Sequence, residues 1–157
     1  MGSGIPASAV CGESNVLKCM KPGELSSTWG GNPLASAAVG AVLDAMEQEH
    51  LPENSRVMGE YLKPRFEEMK NRYKFIGDVR GKGLVIGIEF VEPTDGYTPS
   101  QEITRKVVMG CAEHGVLLGK LGLYGNVIRI APPLIITQPE LDVALEVFEG
   151  VFKSLAA

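Results

Sequence analysis

The spacing of apolar residues changes near residue 75, after two long helical stretches, and that change limits the folds open to this chain. From Pro33 to about Glu49, Leu34, Ala37, Ala38, Ala41, Val42, Ala45 and Met46 recur at helical spacing. The small side chains in the first half of that stripe imply close packing against another element. Pro52 opens a second helix to about Tyr73, with Val57, Tyr61, Leu62, Phe66 and Met69 inward and Pro64 placed to kink it. Beyond Phe75 the period falls to two. Leu84, Ile86, Ile88 and Phe90 alternate with Val85, Gly87, Glu89 and Val91, so residues 75–80 and 84–91 read as an antiparallel pair of strands about a Gly81-Lys82-Gly83 break.

The flanking segments follow the same logic. Ala7 to Cys11 fits a short buried strand, and residues 13–20 a short helix ended by the turn Lys21-Pro22-Gly23. After a loop through Pro93, Gly96 and Pro99, a helix is expected from about Ser100 to His114, then short strands near 116–118 and 126–130. Thr137-Gln138-Pro139-Glu140 is a capping box that opens a last helix to about Leu155, buried along Leu141, Ala144, Leu145, Phe148 and Phe152. The sum is an α+β fold with helices on a small, mostly antiparallel sheet.

Composition narrows the function classes. A length of 157 residues, 45% of them apolar, is enough for one ordinary domain with a real core. A net charge of -4 and scattered basic residues give no footprint for nucleic acid. No apolar run reaches the roughly 20 residues that span a bilayer, and no secretory core opens the chain, so the protein reads as soluble and cytoplasmic. Cys11, Cys19 and Cys111 have no CxxC spacing and read as reduced, half-buried thiols; His50 and His114 stand apart as surface or helix-end residues, and no metal site is suggested.

Three stretches carry possible chemistry. Gly81-Lys82-Gly83, with Gly77 and Gly87, satisfies neither GxGxxG nor GxxxxGK[ST] and lies between strands, so it reads as a bend or bulge, with Lys82 still available to face a site. In Ser26-Ser27-Thr28-Trp29-Gly30-Gly31-Asn32-Pro33, Asn32 suits an N-cap and Pro33 the first helical turn. Either this is only a capped helix after a Gly-rich turn, or its hydroxyls and amides hold an oxyanion or phosphate at the positive end of the helix. Arg129 lies among apolar neighbours on a strand ending in Pro132-Pro133, and its charge calls for a carboxylate, either the protein's or a ligand's held bidentately.

Four segments stand in order along the chain: Gly4-Ile5-Pro6 with Ala9-Val10, Ser27 to Pro33, Val79-Arg80-Gly81-Lys82-Gly83-Leu84, and Arg129-Ile130-Ala131-Pro132-Pro133-Leu134. Together they resemble the C-terminal portion of the class III (ornithine or 4-aminobutyrate type) aminotransferases, which depend on pyridoxal 5'-phosphate. Glu53-Asn54-Ser55 and Gly77-Asp78-Val79 are similar to the alanine-glyoxylate aminotransferase branch. The resemblance implies a fold-type-I transferase in which residues 1–32 are a remnant of the large cofactor-binding domain, 33–50 an inter-domain helix and 51–157 the small C-terminal domain.

The resemblance also implies roles. Ser27 and Thr28 would bind the cofactor phosphate in the site of the neighbouring subunit of a homodimer, and Arg129 would grip the carboxylate of an amino-acid substrate whose amino group passes to a 2-oxo acid. The Schiff-base lysine of such enzymes is expected upstream of Met1, since no lysine of this chain stands in a matching context; the chain alone is therefore expected to be inactive. A racemase or decarboxylase on the same scaffold, or a non-catalytic self-associating fragment, are the competing expectations.

Overall fold

A computed structural model describes every residue except Pro22, Leu25, Ser26 and Ala157. The chain divides into two compact units, Met1–His50 and Leu51–Ala157.

In the first unit a short helix α1 (Ser14–Leu17) precedes a long helix α2 (Pro33–Gln48). Asn32 caps α2 as its position suggests: its side chain accepts the Ala35 N–H at 2.9 Å, and Pro33 occupies the first turn. The covered line of α2 is Ala35, Ala38, Val39, Val42, Ala45 and Met46, whereas Leu34, Ala37 and Ala41 are exposed. The expected stripe was rotated, because small residues occupy so much of the helix that periodicity alone does not fix the face. Ala7–Cys11 forms no strand. Its backbone has no ladder partner among the described residues, and a lone extended segment cannot satisfy its N–H and C=O groups as a strand. The turn expected at Lys21-Pro22-Gly23 includes Pro22, which lies outside the described residues.

The second unit opens with α3 (Leu51–Arg72), which runs unbroken through Pro64 and buries Gly59, Leu62, Phe66 and Met69. Val57, expected inward, is 40% exposed, and Gly59 is buried in its place. A hairpin follows, β1 (Ile76–Lys82) antiparallel to β2 (Val85–Phe90). Strand β1 continues through Gly81 and Lys82, so the break is the two-residue turn Gly83-Leu84, with Gly83 at φ +55°. Helix α4 (Gln101–Glu113) is capped by the Ser100 hydroxyl, which accepts from the Ile103 N–H. It leads to β3 (Gly119–Leu121), three residues later than expected, and to β4 (Val127–Ile130). The last helix is α5 (Gln138–Ala156), at whose start the Glu140 carboxylate accepts both the backbone N–H and the hydroxyl of Thr137.

The four strands form one antiparallel sheet in the order β1-β2-β4-β3. Ile86, Ile88, Phe90 and Ile128 are wholly buried on its inner face, beneath Leu62 and Phe66 of α3, Val107 and Cys111 of α4, and Leu141, Phe148 and Phe152 of α5. Phe152 joins the layers, with ring centroids 5.7 Å from Tyr73, Phe75 and Phe148 and 6.0 Å from Phe90. Alternation then leaves the opposite face of β2 and β4, with Gly87, Glu89, Val127 and Arg129, outside the core.

Candidate functional site

Arg129 is the third member of a row that crosses the sheet. Register pairs Arg80 with Gly87, Gly87 with Arg129, and Arg129 with Gly119, so two arginines alternate with two glycines. The two arginines have different surroundings. Arg80 donates to the Asp78 carboxylate at 2.8 Å and to Glu89 at 2.7 Å, and this hydrogen bond from Arg80, followed by the nearby charge of Lys70, holds the Asp78 carboxyl below its ordinary range. Arg129 is exposed, and its guanidinium has neither a hydrogen bond nor an ion pair among the described residues. Of the two partners its sequence left open, a protein carboxylate is not supplied by this part of the chain.

The two glycines beside Arg129 are not explained by their own backbones. A Cβ on Gly87 would meet nothing closer than 3.8 Å, and one on Gly119 nothing within 4 Å. Their effect is to leave the ground on both sides of the guanidinium bare. A cavity of about 250 Å³ lies on the core side of the sheet, lined by Ile130 and Pro132 together with Phe66, Ile136 and Phe148, and the Arg129 side chain stands on the other face. Planar donors beside bare backbone suit an anionic group on a small organic molecule.

The other candidate lies in the first unit. Ser27 to Gly30 form a turn in which the Gly30 N–H donates to the Ser27 carbonyl at 3.0 Å. Asn32 ties this turn to α2, since its Nδ2 donates to the Trp29 carbonyl at 2.8 Å while its Oδ1 caps the helix. The Ser27 and Thr28 hydroxyls are exposed and have no partner among the described residues, and α2 has no acidic residue in its first turn to offset its positive end. Ser26, part of the same sequence stretch, lies outside the described residues. The capped helix is therefore present, with two hydroxyls left over that capping does not use.

Other residues sort simply. Lys82 sits at the hairpin end, exposed opposite Val85. His114 closes α4, its Nδ1 2.8 Å from the Gly110 carbonyl, and His50 follows α2 with φ +51°. The cysteines are not half-buried: Cys11 and Cys19 are exposed, while Cys111 is enclosed and burial pushes its thiol up to about 11. No helix among the described residues is long and apolar enough to cross a membrane.

Sequence reasoning missed two asparagines. Asn126 is 2% exposed and donates to the Phe90 carbonyl at 3.0 Å and to Glu89 at 3.3 Å, joining β2 to the start of β4. Asn54, noted only as part of a branch-like triplet, donates to two carbonyls beyond β4. An amide among polar helix-start residues looks like surface, and only the long-range pairing shows otherwise.

Known proteins resemble this chain along most of its length. The chain is 38% identical over 156 residues to 5-aminovalerate aminotransferase DavT of Pseudomonas aeruginosa, covering 99% of this chain and 37% of that protein. It is 39% identical over 153 residues to the alanine/serine racemase of Pyrococcus horikoshii, covering 98% of this chain and 32% of the other. Among solved structures, a PLP-bound amine transaminase from an uncultivated Pseudomonas species superposes with a TM-score of 0.74 at 32% identity, over 82% of this chain and 29% of that one. The chain thus spans about a third of the length of these relatives. Residues 1–152 match the aminotransferase class-III family, and the chain belongs to it.

Proposed function

We propose that these residues form the C-terminal part of a pyridoxal-phosphate-dependent class-III aminotransferase, which moves an amino group between an amino acid or amine and a 2-oxo acid. The observation that carries this reading is the unpartnered guanidinium of Arg129 between two glycines on the open face of the sheet. Such a group donates two parallel N–H bonds to a substrate carboxylate and fixes its orientation, which a point charge cannot do. The turn ahead of α2 fits the cofactor's phosphate, because the Ser27 and Thr28 hydroxyls are free to donate and the helix end beside them carries no acidic side chain. When bound, pyridoxal phosphate supplies the electron sink that makes the substrate's α-carbon acidic.

On this reading residues 1–32 belong to the cofactor domain, 33–50 to an inter-domain helix and 51–157 to the small domain. Ser27 and Thr28 serve the neighbouring subunit of a cytoplasmic homodimer. The Schiff-base lysine lies in the remainder of the enzyme, and these 157 residues alone turn over no substrate. A racemase is the second reading, favoured by the 39% identity to the alanine/serine racemase. Product analysis separates the two: keto acid formed only when an amino acceptor is present means transamination, and inverted amino acid without acceptor means racemisation.

The test of the site uses the whole enzyme. Charge-assisted hydrogen bonds are worth about 1.5–3 kcal/mol, so losing one arm of the fork through Arg129→Lys should raise KM for the amino acid by about tenfold to a hundredfold. Thr28→Ala should weaken cofactor affinity and leave that KM alone. An unchanged KM in Arg129→Lys refutes the carboxylate role.

A further inference from the structure

We propose that Asn54 is a positioning residue for Arg129, acting through the segment that leaves β4; the proposal rests on the carboxylate-binding reading of Arg129 given above. Asn54 lies in the first turn of α3, and its Nδ2 donates to the carbonyl of Leu134 at 2.6 Å and to that of Ile136 at 3.1 Å, 80 and 82 residues away in sequence. Both acceptors are carbonyl oxygens. Of the two ends of the Asn54 amide only the NH₂ can meet both, so the side chain's orientation is set by its partners.

Between Arg129 and the first of those carbonyls stand Ile130, Ala131, Pro132 and Pro133. The two prolines fix φ and leave the link little torsional freedom. Arg129 is therefore held from the side by its ladder to Gly87 and Gly119, and from its C-terminal end by a stiff link whose far end Asn54 pins. The next residue repeats the device on the opposing strand. The Ser55 hydroxyl accepts the Leu84 N–H at 3.2 Å, in the turn that leads into β2 and its Gly87. Two consecutive side chains thus tie the start of α3 to the segment that leaves the Arg129 strand and to the turn that enters the strand facing it. Pro132 and Ile136 also line the cavity, so the same clamp holds one of its walls.

A purely local role for Asn54 makes the opposite forecast for one substitution. Acidic side chains in the first turn of a helix are favourable, so Asn54→Asp should strengthen α3 if only the helix matters. If the clamp matters, the same isosteric change turns a donor into a carboxylate facing two carbonyl oxygens, and the segment is released.

The full 157-residue chain, labelled with ¹⁵N, allows the test. In Asn54→Asp the Ile136 amide, which bonds the Pro133 carbonyl, should exchange at least about tenfold faster, as expected for the loss of one or two hydrogen bonds. The Arg129 Nε–H resonance, assigned with Arg129→Lys, should shift, while exchange at Ile88 and Val107 stays as in the parent chain. Asn54→Ala should loosen Ile136 in the same way without adding charge, which keeps the test valid if the Asp variant does not fold. Unchanged exchange at Ile136 in both variants, or equal acceleration at Ile136, Ile88 and Val107, overturns the proposal. In the whole enzyme, Asn54→Ala should raise KM for an amino-acid donor but not for a primary amine without a carboxylate; a rise for both overturns it as well. An unchanged KM in Arg129→Lys overturns instead the carboxylate reading itself, whatever the exchange data show.

Discussion

Replacing Gly59 by alanine sets two well-measured effects against each other. Gly59 lies inside α3, where local propensity favours alanine by about 1 kcal/mol. Packing opposes it: a Cβ at this position would lie 2.3 Å from the Gly83 carbonyl oxygen, 2.4 Å from its carbon and 2.6 Å from its Cα. All three are backbone atoms of the hairpin turn, which no rotamer change can move. The helix and the turn must separate, and the Ser55 to Leu84 hydrogen bond one turn earlier stretches with them. Overpacking costs ~1–3 kcal/mol and more where the obstacle is rigid, so subtracting the propensity gain from the upper figure leaves a net loss of about 2 kcal/mol.

Gly150 provides the control within the same unit. It lies in α5, where an added Cβ meets nothing within 4 Å, so Gly150→Ala should stabilise by the propensity term of about 0.5–1 kcal/mol. Urea unfolding followed by helical circular dichroism gives both numbers as shifts of the midpoint at constant slope. The order Gly150→Ala above the parent chain above Gly59→Ala is expected. Gly59→Ala at or above the parent would refute the close approach of α3 to the hairpin turn.

Two further outcomes follow from charge and burial. Asp78 has its pKa depressed in the folded chain, first by the Arg80 hydrogen bond and then by Lys70, so its stabilisation is present above the ordinary carboxylate range and is lost as pH falls through the folded value. Because the carboxylate is 46% exposed the effect is modest, and Asp78→Asn should flatten the acid limb of a stability-against-pH curve without steepening it. With an aromatic disulfide reagent at mildly alkaline pH, Cys11 and Cys19 should react at once and Cys111 only on unfolding, since it is enclosed and its thiol is raised to about 11. Three fast thiols in the folded chain would contradict that burial.

The sequence was most legible where one periodicity ran without competition. The alternation from Leu84 to Phe90 identified the inner face of β2 residue by residue, because an apolar side chain at every second position has only one way to be buried. Strand β3 was misplaced onto Val116–Leu118 because its real residues, Gly119–Leu121, have little β-propensity and form a strand only through pairing with β4. The covered face of α2 differs from the periodic stripe for a related reason: alanines on several faces carry no direction. Arg129 stood out as a charge among apolar residues, but its glycine neighbours lie on other strands and appear only when the register is known. Asn54 was out of reach for the same reason, since its acceptors are backbone atoms, which sequence does not distinguish.

The turn ahead of α2 carries one more consequence, an optical one. Trp29 is the only tryptophan in the chain, is 81% exposed and follows Thr28 directly, whereas all four tyrosines lie beyond residue 60. Indole emission, excited at the red edge where neutral phenols do not absorb, therefore samples the solvent around the hydroxyl pair, and the absorption change on phenol ionisation samples the other unit. Each half of the molecule has its own intrinsic chromophore, so the two can be followed separately in one cuvette without a label.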